Sequence, residues 1–366
     1  MPRIPTSTII KAYRQNCFLP ILLQECRSLS SAQNELRWLR ERAIHVWKQW
    51  PRKYPASGWK TLLKTMCRVR SKGMPLQYIL GDQPFGNLEI LCEKGVLIPR
   101  PETESYTIHA AELISRYFLA SGQNGNVEPS GLIRPLRVLD LCTGTGCISL
   151  LLHYLLAPRF QQLFILGIDI SAAAIQLATR NLDHNLQLGL LSDRSYREVH
   201  FHQGDVLGHD NGHNSRIEEI LETYTPQCRM DPGSRESFDW DILVSNPPYI
   251  SPNSLRDGTT ARSVRFFEPE LALVPPPANM NYSITMDYKR EDIFYHHLIA
   301  LSFKLSIRLT VLECGSRQQG SRVIAICKAF SNKLPRDHEW TVGLWSEGQA
   351  DHCDNKEGPC VVILRK

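Results

Sequence analysis

The run Ile242-Leu243-Val244-Ser245 leads directly into Asn246-Pro247-Pro248-Tyr249. A short apolar, β-branched run of this kind reads as a buried strand. The residue before a proline is pushed to extended geometry, and each proline fixes its φ and lacks an N–H. The strand must stop there. The Asn246 amide and the carbonyls beside it are left rigid and unladdered, just past the strand's carboxyl end. Ligands of open α/β sheets sit at that end. On its own the motif also suits a plain strand-ending turn.

A second constellation lies upstream. Val138-Leu139-Asp140-Leu141 reads as a strand, Thr143-Gly144-Thr145-Gly146 as a tight turn, and Cys147 to Leu156 as an apolar helix. Glycines let backbone approach a ligand, and a helix start presents free N–H groups, so this order suits a cofactor. Asp169 ends the next strand, Leu163 to Ile168, 29 residues after Asp140. It is placed to accept both hydroxyls of a ribose. A third strand, Val199 to His202, leads to Gly204-Asp205, where Asp205 is placed to take an adenine amino group. Each aspartate singly also suits a cap or turn; three consecutive strand ends carrying one point to a site. A dinucleotide fingerprint needs Gly-x-Gly-x-x-Gly, and this turn lacks the third glycine.

Together these features resemble S-adenosylmethionine-dependent methyltransferases that modify planar amino nitrogens. That resemblance implies a seven-stranded sheet with a reversed terminal hairpin. An amide or adenine NH2 is a poor nucleophile because its lone pair is delocalised. The Asn246 oxygen and the Pro247 carbonyl can accept its two hydrogens, and Tyr249 can pack on the planar group. Catalysis is then mostly positioning and preorganised dipoles, with no catalytic His, Cys or metal.

Four stretches narrow the resemblance: Pro75-Leu76-Gln77-Tyr78-Ile79-Leu80-Gly81, Leu97-Ile98-Pro99-Arg100-Pro101-Glu102-Thr103-Glu104, Asn246-Pro247-Pro248-Tyr249-Ile250 and Phe267-Glu268-Pro269-Glu270-Leu271-Ala272-Leu273. They resemble the HemK/PrmC-type release-factor glutamine methyltransferases, from about residue 75 to the C-terminus. The resemblance implies methylation of the glutamine in the Gly-Gly-Gln loop of a peptide chain release factor. It implies a cofactor site at Asp140, Thr143, Gly144, Gly146, Asp169, Asp205, Val206 and Asn246. It implies a substrate site at Asn246, Pro247, Pro248 and Tyr249, with Arg100 and Glu102 from the Arg-Pro-Glu-Thr-Glu segment, and no metal. There are departures. The family's first turn glycine is Cys142 here, and a Cβ disfavours φ > 0 and crowds the cofactor. Asp287 to Asp292 replaces an acidic, glycine-rich segment. Two insertions, Gly208–Ser237 and Pro275–Arg290, exceed the compact bacterial pattern and point to a eukaryotic, organellar version.

The elements that must position these residues give an α/β fold. The resemblance implies a Rossmann-like class I methyltransferase sheet over 99–366, with a small all-helical domain at 1–75 and a β-hairpin connector at 76–98. Repeated βα units argue for a parallel, doubly wound sheet. In the connector, Tyr78-Ile79-Leu80, Leu88 to Leu91 and Gly95 to Ile98 read as short strands. The Pro-Glu-Thr-Glu segment opens a helix from Ser105 to Ala120, with Thr103 or the acids at its N-terminus. Ile293 to Leu305 reads as a helix and Leu309 to Glu313 as a fifth strand. Trp340 to Val342 and Cys360 to Leu364 form a terminal antiparallel pair. Both insertions read as exposed, without a clear period.

In the first domain Ser30-x-x-Gln33 reads as a capping box. Leu36, Leu39, Ala43, Ile44 and Trp47 then share a face, with Trp38 off it, until Pro51 and Pro55 end the helix. Gly58 to Arg70 is another helix. Residues 1–75 hold 15 Lys and Arg against 3 Asp and Glu, while the whole chain is only +5. Such a domain meets an acidic protein face or nucleic acid, or is a plain solvated basic surface. The resemblance implies a release factor as the partner; nucleic acid is not required, though the basic domain leaves it open. Arg3, Lys11, Arg14 and Arg27 against Glu25 fit a mitochondrial transit peptide or the first helices of the domain, and the two can overlap. The compartment is mitochondrial, with the cytoplasm as alternative. The eleven cysteines form no CxxC pair, and no run reaches membrane-spanning length, so neither a zinc site nor a membrane anchor is expected. Two rival functions share these residues: a nucleic-acid adenine-N6 methyltransferase, and a non-catalytic release-factor or ribosome-binding protein.

Overall fold

The computed structural model describes residues 3–49, 58–120, 135–208, 216–224, 240–277, 289–332, 340–346 and 359–366. The breakers Pro51 and Pro55, the loop at 121–134 and most of both insertions lie outside the described residues. The chain forms two units. The first comprises Met1–Gln83, Cys92–Lys94 and Gly258–Glu268; the second comprises Pro84–Leu91, Gly95–Asp257 and Pro269–Lys366.

The first unit is helical: Thr6–Gln15, Leu19–Cys26, Leu29–Gln49 and Gly58–Ser71. Leu22, Leu23, Leu39, Ala43, Leu63 and Cys67 close its core. Trp38 stays 40% exposed, off the apolar face. The long helix starts two residues earlier than the capping-box reading. Ser28 is its cap, accepting the Ser31 N–H at 3.1 Å, while the Ala32 N–H bonds the Ser28 carbonyl. Gln33 instead donates to Gln15. A run of serines offers several caps, and the first one whose carbonyl begins the ladder wins. Arg70 forks onto Glu35 at 2.8 and 2.9 Å. Gly258–Glu268, part of 99–366 in sequence, joins this unit, with Arg262 3.8 Å from Glu25. Leu76–Leu80 is a single helical turn rather than a strand. Pro75 at its start and Gly81 in left-handed geometry at its end bracket one turn. Gly95 to Ile98 is irregular, not a strand.

β1 (Asp82–Phe85) and β2 (Leu88–Leu91) form a two-stranded sheet. The main sheet holds β3 (Leu136–Leu141), β4 (Leu163–Asp169), β5 (Val199–Gln203), β6 (Ile242–Ser245), β7 (Leu309–Cys314), β8 (Thr341–Trp345) and β9 (Cys360–Arg365). Their spatial order is β5-β4-β3-β6-β7-β9-β8. The first five are parallel, and β9 runs antiparallel to both neighbours. This is the seven-stranded sheet with a reversed terminal hairpin.

Period-2 alternation builds both faces. Val138, Ile165, Val244 and Val311 point into one core, and Leu139, Leu166, Leu243 and Leu312 into the other. Strands buried on both sides read as continuous apolar runs, which is why they were visible. Chain order reverses on either side of β3, with β4 on one flank and β6 on the other. A crevice opens at such a switch point.

Helix Pro101–Ala120 begins four residues before Ser105. Proline suits the first helical position, where its missing N–H costs nothing, and Glu102 and Glu104 favour the positive end. Helix Ala172–Gln187 is capped by Ser171, which accepts the Ala174 N–H. Helix Ile217–Thr223 lies inside the first insertion, yet Ile217, Ile220 and Leu221 are buried, so that part belongs to the core.

Two buried asparagines on helix Ala172–Gln187 clamp β2 as a strand would. Asn181 accepts the Leu91 N–H at 2.7 Å and donates to the Thr145 carbonyl at 2.9 Å. Asn185 accepts the Glu89 N–H and donates to the Glu89 carbonyl. Asn181 therefore ties the glycine turn to β2. We predict that Asn181→Ala, which strands a buried N–H and a carbonyl, costs about 2–3 kcal/mol of unfolding free energy. Urea denaturation should show a lower midpoint at unchanged slope; an unchanged midpoint would refute the clamp.

Candidate active site

The carboxyl ends of β3, β4, β5 and β6 meet around one cleft. Of the residues singled out in the sequence, Gly144, Asp169, Asp205, Val206, Asn246 and Pro248 line it. Ile170, Leu207 and Phe294 add apolar wall, as does Val96 from the irregular segment after β2. Pro269, Leu271 and Ala272 come from the Phe-Glu-Pro-Glu-Leu-Ala-Leu stretch, whose Leu273 carbonyl accepts the Ile250 N–H at 2.8 Å. Pro276, at the edge of the second insertion, also reaches the cleft.

Asp169 faces the cleft with each oxygen half used. Oδ2 accepts the Gly144 N–H and Oδ1 the Ser171 N–H, both at 2.9 Å. A carboxylate oxygen has two acceptor positions, so among the described residues one remains on each. Burial raises the pKa of this carboxyl, opposed by those two backbone bonds. Asp205 accepts the Leu207 N–H through Oδ1 at 2.8 Å.

Asp140 and Thr143 lie beneath the turn rather than in the cleft. Asp140 is fully buried and its Oδ2 accepts from Thr143 Oγ1, Ser149 Oγ and Ser149 N. Its Oδ1 has no hydrogen-bond partner among the described residues. Burial lifts this carboxyl to about 6 against the pull of those donors. Cys142 does take the left-handed conformation, with φ 63°, and lines the cleft. That conformation costs a non-glycine residue roughly 1–2 kcal/mol. The turn is therefore preserved with a thiol in it.

Gly146 serves packing. Its φ is +77°, and a Cβ there would meet Phe201 Cζ at 2.7 Å and Ala178 Cβ at 3.0 Å. Gly144, with φ +56°, has nothing within 4 Å of that position, so its space is open.

At the other wall, Asn246 is half-buried and its Nδ2 donates to Thr103 Oγ1 at 3.2 Å. Thr103 in turn donates to Glu313 Oε2 at 2.8 Å. Tyr249 does not present its ring to the cleft. Its hydroxyl donates to Glu313 Oε1 at 3.1 Å, and its ring lies over Gly315, where a Cβ would come within 2.8 Å. Pro247 is buried and Arg100 half-buried. Glu102 borders a separate small cavity with Tyr106 and Glu313. Burial raises Glu313 to about 7, opposed by the Thr103 and Tyr249 hydroxyls.

Thr103 and Glu313 are the residues that reading the sequence missed. Glu313 ends a strand as Asp140 and Asp169 do, and that pattern was the available signal. Thr103 was read as serving the helix start. It is buried and bonds across to β7 instead.

A family model described as a methyltransferase domain matches residues 134–219. The probable MRF1 mitochondrial N(5)-glutamine methyltransferase mtq1 of Schizosaccharomyces pombe is 31% identical, over 100% of this chain and 97% of its own. The release factor glutamine methyltransferase of Bacillus subtilis is 30% identical, over 73% and 72%. The chain belongs to the release factor glutamine methyltransferase family. A second fungal relative, the mitochondrial MRF1 N(5)-glutamine methyltransferase MTQ1 of Saccharomyces cerevisiae, is 35% identical over 75% of this chain and 68% of its own. The cleft is thus that of a methyltransferase, and the four stretches that carried the resemblance belong to a family that is now shown.

In this methyltransferase the two turn glycines should respond differently. Gly146→Ala adds overpacking to left-handed strain and is expected to cost about 2–4 kcal/mol. Gly144→Ala adds strain alone, about 1–2 kcal/mol. Denaturation of both variants checks the order; equal losses would contradict it.

Proposed function

We propose that this methyltransferase moves a methyl group from S-adenosylmethionine to the side-chain amide nitrogen of the glutamine in a release factor's Gly-Gly-Gln loop, in mitochondria. The observation that carries the reading is the Asn246-Pro247-Pro248 turn meeting the same cleft as Asp169 and Asp205, in a chain of this family. The names of the two fungal relatives support the release factor and the compartment.

The residues present fit the cofactor. Asp169 keeps one acceptor position on each oxygen, which suits vicinal ribose hydroxyls. Val206, Leu207, Ile170 and Phe294 give an apolar slot for a purine, with Asp205 at its edge. Asp140, with its partnerless buried oxygen, sets a negative field under the turn, which suits a cationic ligand. When bound, S-adenosylmethionine supplies an electrophilic methyl carried on a sulfonium sulfur.

The chain's own contribution is orientation. A planar amide nitrogen has no free lone pair. Asn246 Oδ1 and the Pro247 carbonyl accept its two hydrogens and hold it where the methyl arrives, a preorganised arrangement that needs no base to activate the nitrogen beforehand; the proton lost as the N–CH3 bond forms and the S–CH3 bond breaks passes to solvent. Tyr249, tied to Glu313, acts by bracing the turn. A glutamine amide on its thin stem can enter such a slot when glycines flank it; an adenine needs an extruded nucleotide and a wider pocket.

The first unit is proposed to receive the protein substrate. Lys11, Arg14, Arg37, Arg40, Lys64 and Arg68 are exposed, whereas Glu25 and Glu35 are engaged by arginines within the unit. An acidic partner face is then steered to it, more weakly in salt. A mitochondrial address in the first residues has to coexist with the burial of Leu19, Leu22 and Leu23.

The deciding experiment incubates the full chain with S-adenosylmethionine and either a release factor or duplex and single-stranded oligonucleotides, followed by mass spectrometry. Methyl should appear on the loop glutamine alone, and on almost nothing when that glutamine is asparagine, whose amide sits about 1.5 Å short. Methyl on adenine and none on the glutamine would overturn the reading. Asn246→Ala should lose on the order of 100-fold in rate while still binding the cofactor. Asp169→Ala should weaken cofactor binding by about 1.5–3 kcal/mol in calorimetry; near-parental values for either variant would remove that residue from its role.

A further inference from the structure

We propose that Thr103 and Glu313 are positioning residues for methyl transfer: the Glu313 carboxylate, acting through the Thr103 hydroxyl, holds the Asn246 amide with its oxygen toward the substrate. The inference rests on the reading of Asn246 as the acceptor of the substrate's N–H.

An asparagine amide has two faces, an acceptor Oδ1 and a donor NH2, exchanged by a half-turn. Only one flip state can receive a substrate NH2. The other sets donor against donor. The threonine hydroxyl that touches Asn246 could by itself hold either state, because a hydroxyl both donates and accepts. Glu313 removes that ambiguity. An ionised carboxylate accepts only, so it captures the Thr103 proton, as the 2.8 Å bond to Oε2 records. Thr103 Oγ1 then faces Asn246 as an acceptor, and only Nδ2 can answer it, at 3.2 Å. Oδ1 is left for the cleft. The same carboxylate takes the Tyr249 hydroxyl on its other oxygen, so one buried charge fixes both ends of the Asn-Pro-Pro-Tyr turn. A charge-assisted chain also polarises each bond in turn and makes Oδ1 a stronger acceptor.

The construction is dear to the fold, which argues that it has a use. Glu313 and Thr103 are 1% and 2% exposed. Glu313 faces Glu102 and Tyr106 from helix Pro101–Ala120, Tyr295 from helix Ile293–Lys304, Tyr249, and the thiols of Cys147, Cys314 and Cys360. The cations nearby act on its neighbours, Arg100 on Tyr249 and Arg317 on Cys360. Burial accordingly raises its carboxyl to about 7. Below that pH the neutral acid gains a proton of its own to donate, the Thr103 hydroxyl is released, and the Asn246 flip is no longer specified. Turnover therefore rises with pH through about 7.

The test uses the full chain with S-adenosylmethionine and a release factor carrying the Gly-Gly-Gln loop. Thr103→Val removes the hydroxyl at constant shape, Thr103→Ser keeps it, and Glu313→Gln removes the charge. Thr103→Val and Glu313→Gln are expected to lower kcat by about 10- to 100-fold, with KM and the cofactor Kd within a few-fold. Thr103→Ser should stay close to the parent. The parent's kcat should climb between about pH 6 and 8, and Glu313→Gln should lose that climb. Full kcat in Thr103→Val, or equal damage in Thr103→Ser, overturns the proposal. Where Thr103→Val fails to bind cofactor, the pH profiles of the parent and Glu313→Gln decide; superimposable profiles overturn it. Asn246→Ala separates the two levels. If that variant is inactive while Thr103→Val and Glu313→Gln run at full rate, only this inference fails. If Asn246→Ala is active, the reading of Asn246 fails first.

Discussion

The hydrogen bond from Asn246 Nδ2 to Thr103 Oγ1 decides which atom of the Asn246 amide is left for a ligand. Much of the second unit serves that choice. β6 ends at Ser245, and the two prolines that follow Asn246 keep its amide from being drawn into the ladder. Ser245 donates to the Leu141 carbonyl at 2.6 Å, which ties the end of β6 to the end of β3. The helix that opens at Pro101 brings Thr103 across, and β7 brings Glu313 beneath it. Four separated segments thus converge on one side-chain orientation.

The wall of the cleft around Asp169 is built on carboxylates, which hold both backbone N–H groups and hydroxyls of the glycine turn and its helix. Asp169 holds Gly144 and Ser171, and Asp140 holds Thr143 and Ser149. The turn is shaped by these bonds before any ligand arrives. Cys142 takes its left-handed φ of 63° within this turn, between the Thr143 N–H on the Ile168 carbonyl and the Gly144 N–H on Asp169. Asn181 extends the same support outward, from the Thr145 carbonyl to β2.

What the sequence made legible follows from local physics. β3, β4, β6 and β7 are apolar runs buried on both faces, so length and β-branching found them. Strand-end aspartates followed from knowing where those strands stop. The cap at Ser28 was misplaced by two residues because neighbouring serines compete for one role. Helix Arg317–Ser331 passed unread: its first turn is polar, Gly320 interrupts it, and only Val323 and Cys327 among its apolar residues are fully buried. Helix Ile217–Thr223 was hidden in an insertion that has no period as a whole. Glu313 was visible as a residue but not as a site. Its meaning depends on Thr103, 210 positions away, and no local pattern carries that contact. Tyr249 is expected to pack on the substrate's planar group; that its hydroxyl is held by the same glutamate is a contact no local pattern carries.

The central claim is that a planar amide nitrogen is held by the Asn246 oxygen and the Pro247 carbonyl. A structure of the full chain with S-adenosylhomocysteine and a Gly-Gly-Gln peptide tests it most directly. The account predicts the glutamine amide nitrogen about 2.9 Å from both Asn246 Oδ1 and the Pro247 carbonyl oxygen, with Asn246 Nδ2 still on Thr103. A glutamine bound away from the Asn-Pro-Pro turn, or an Asn246 amide flipped with its NH2 toward the peptide, would contradict it.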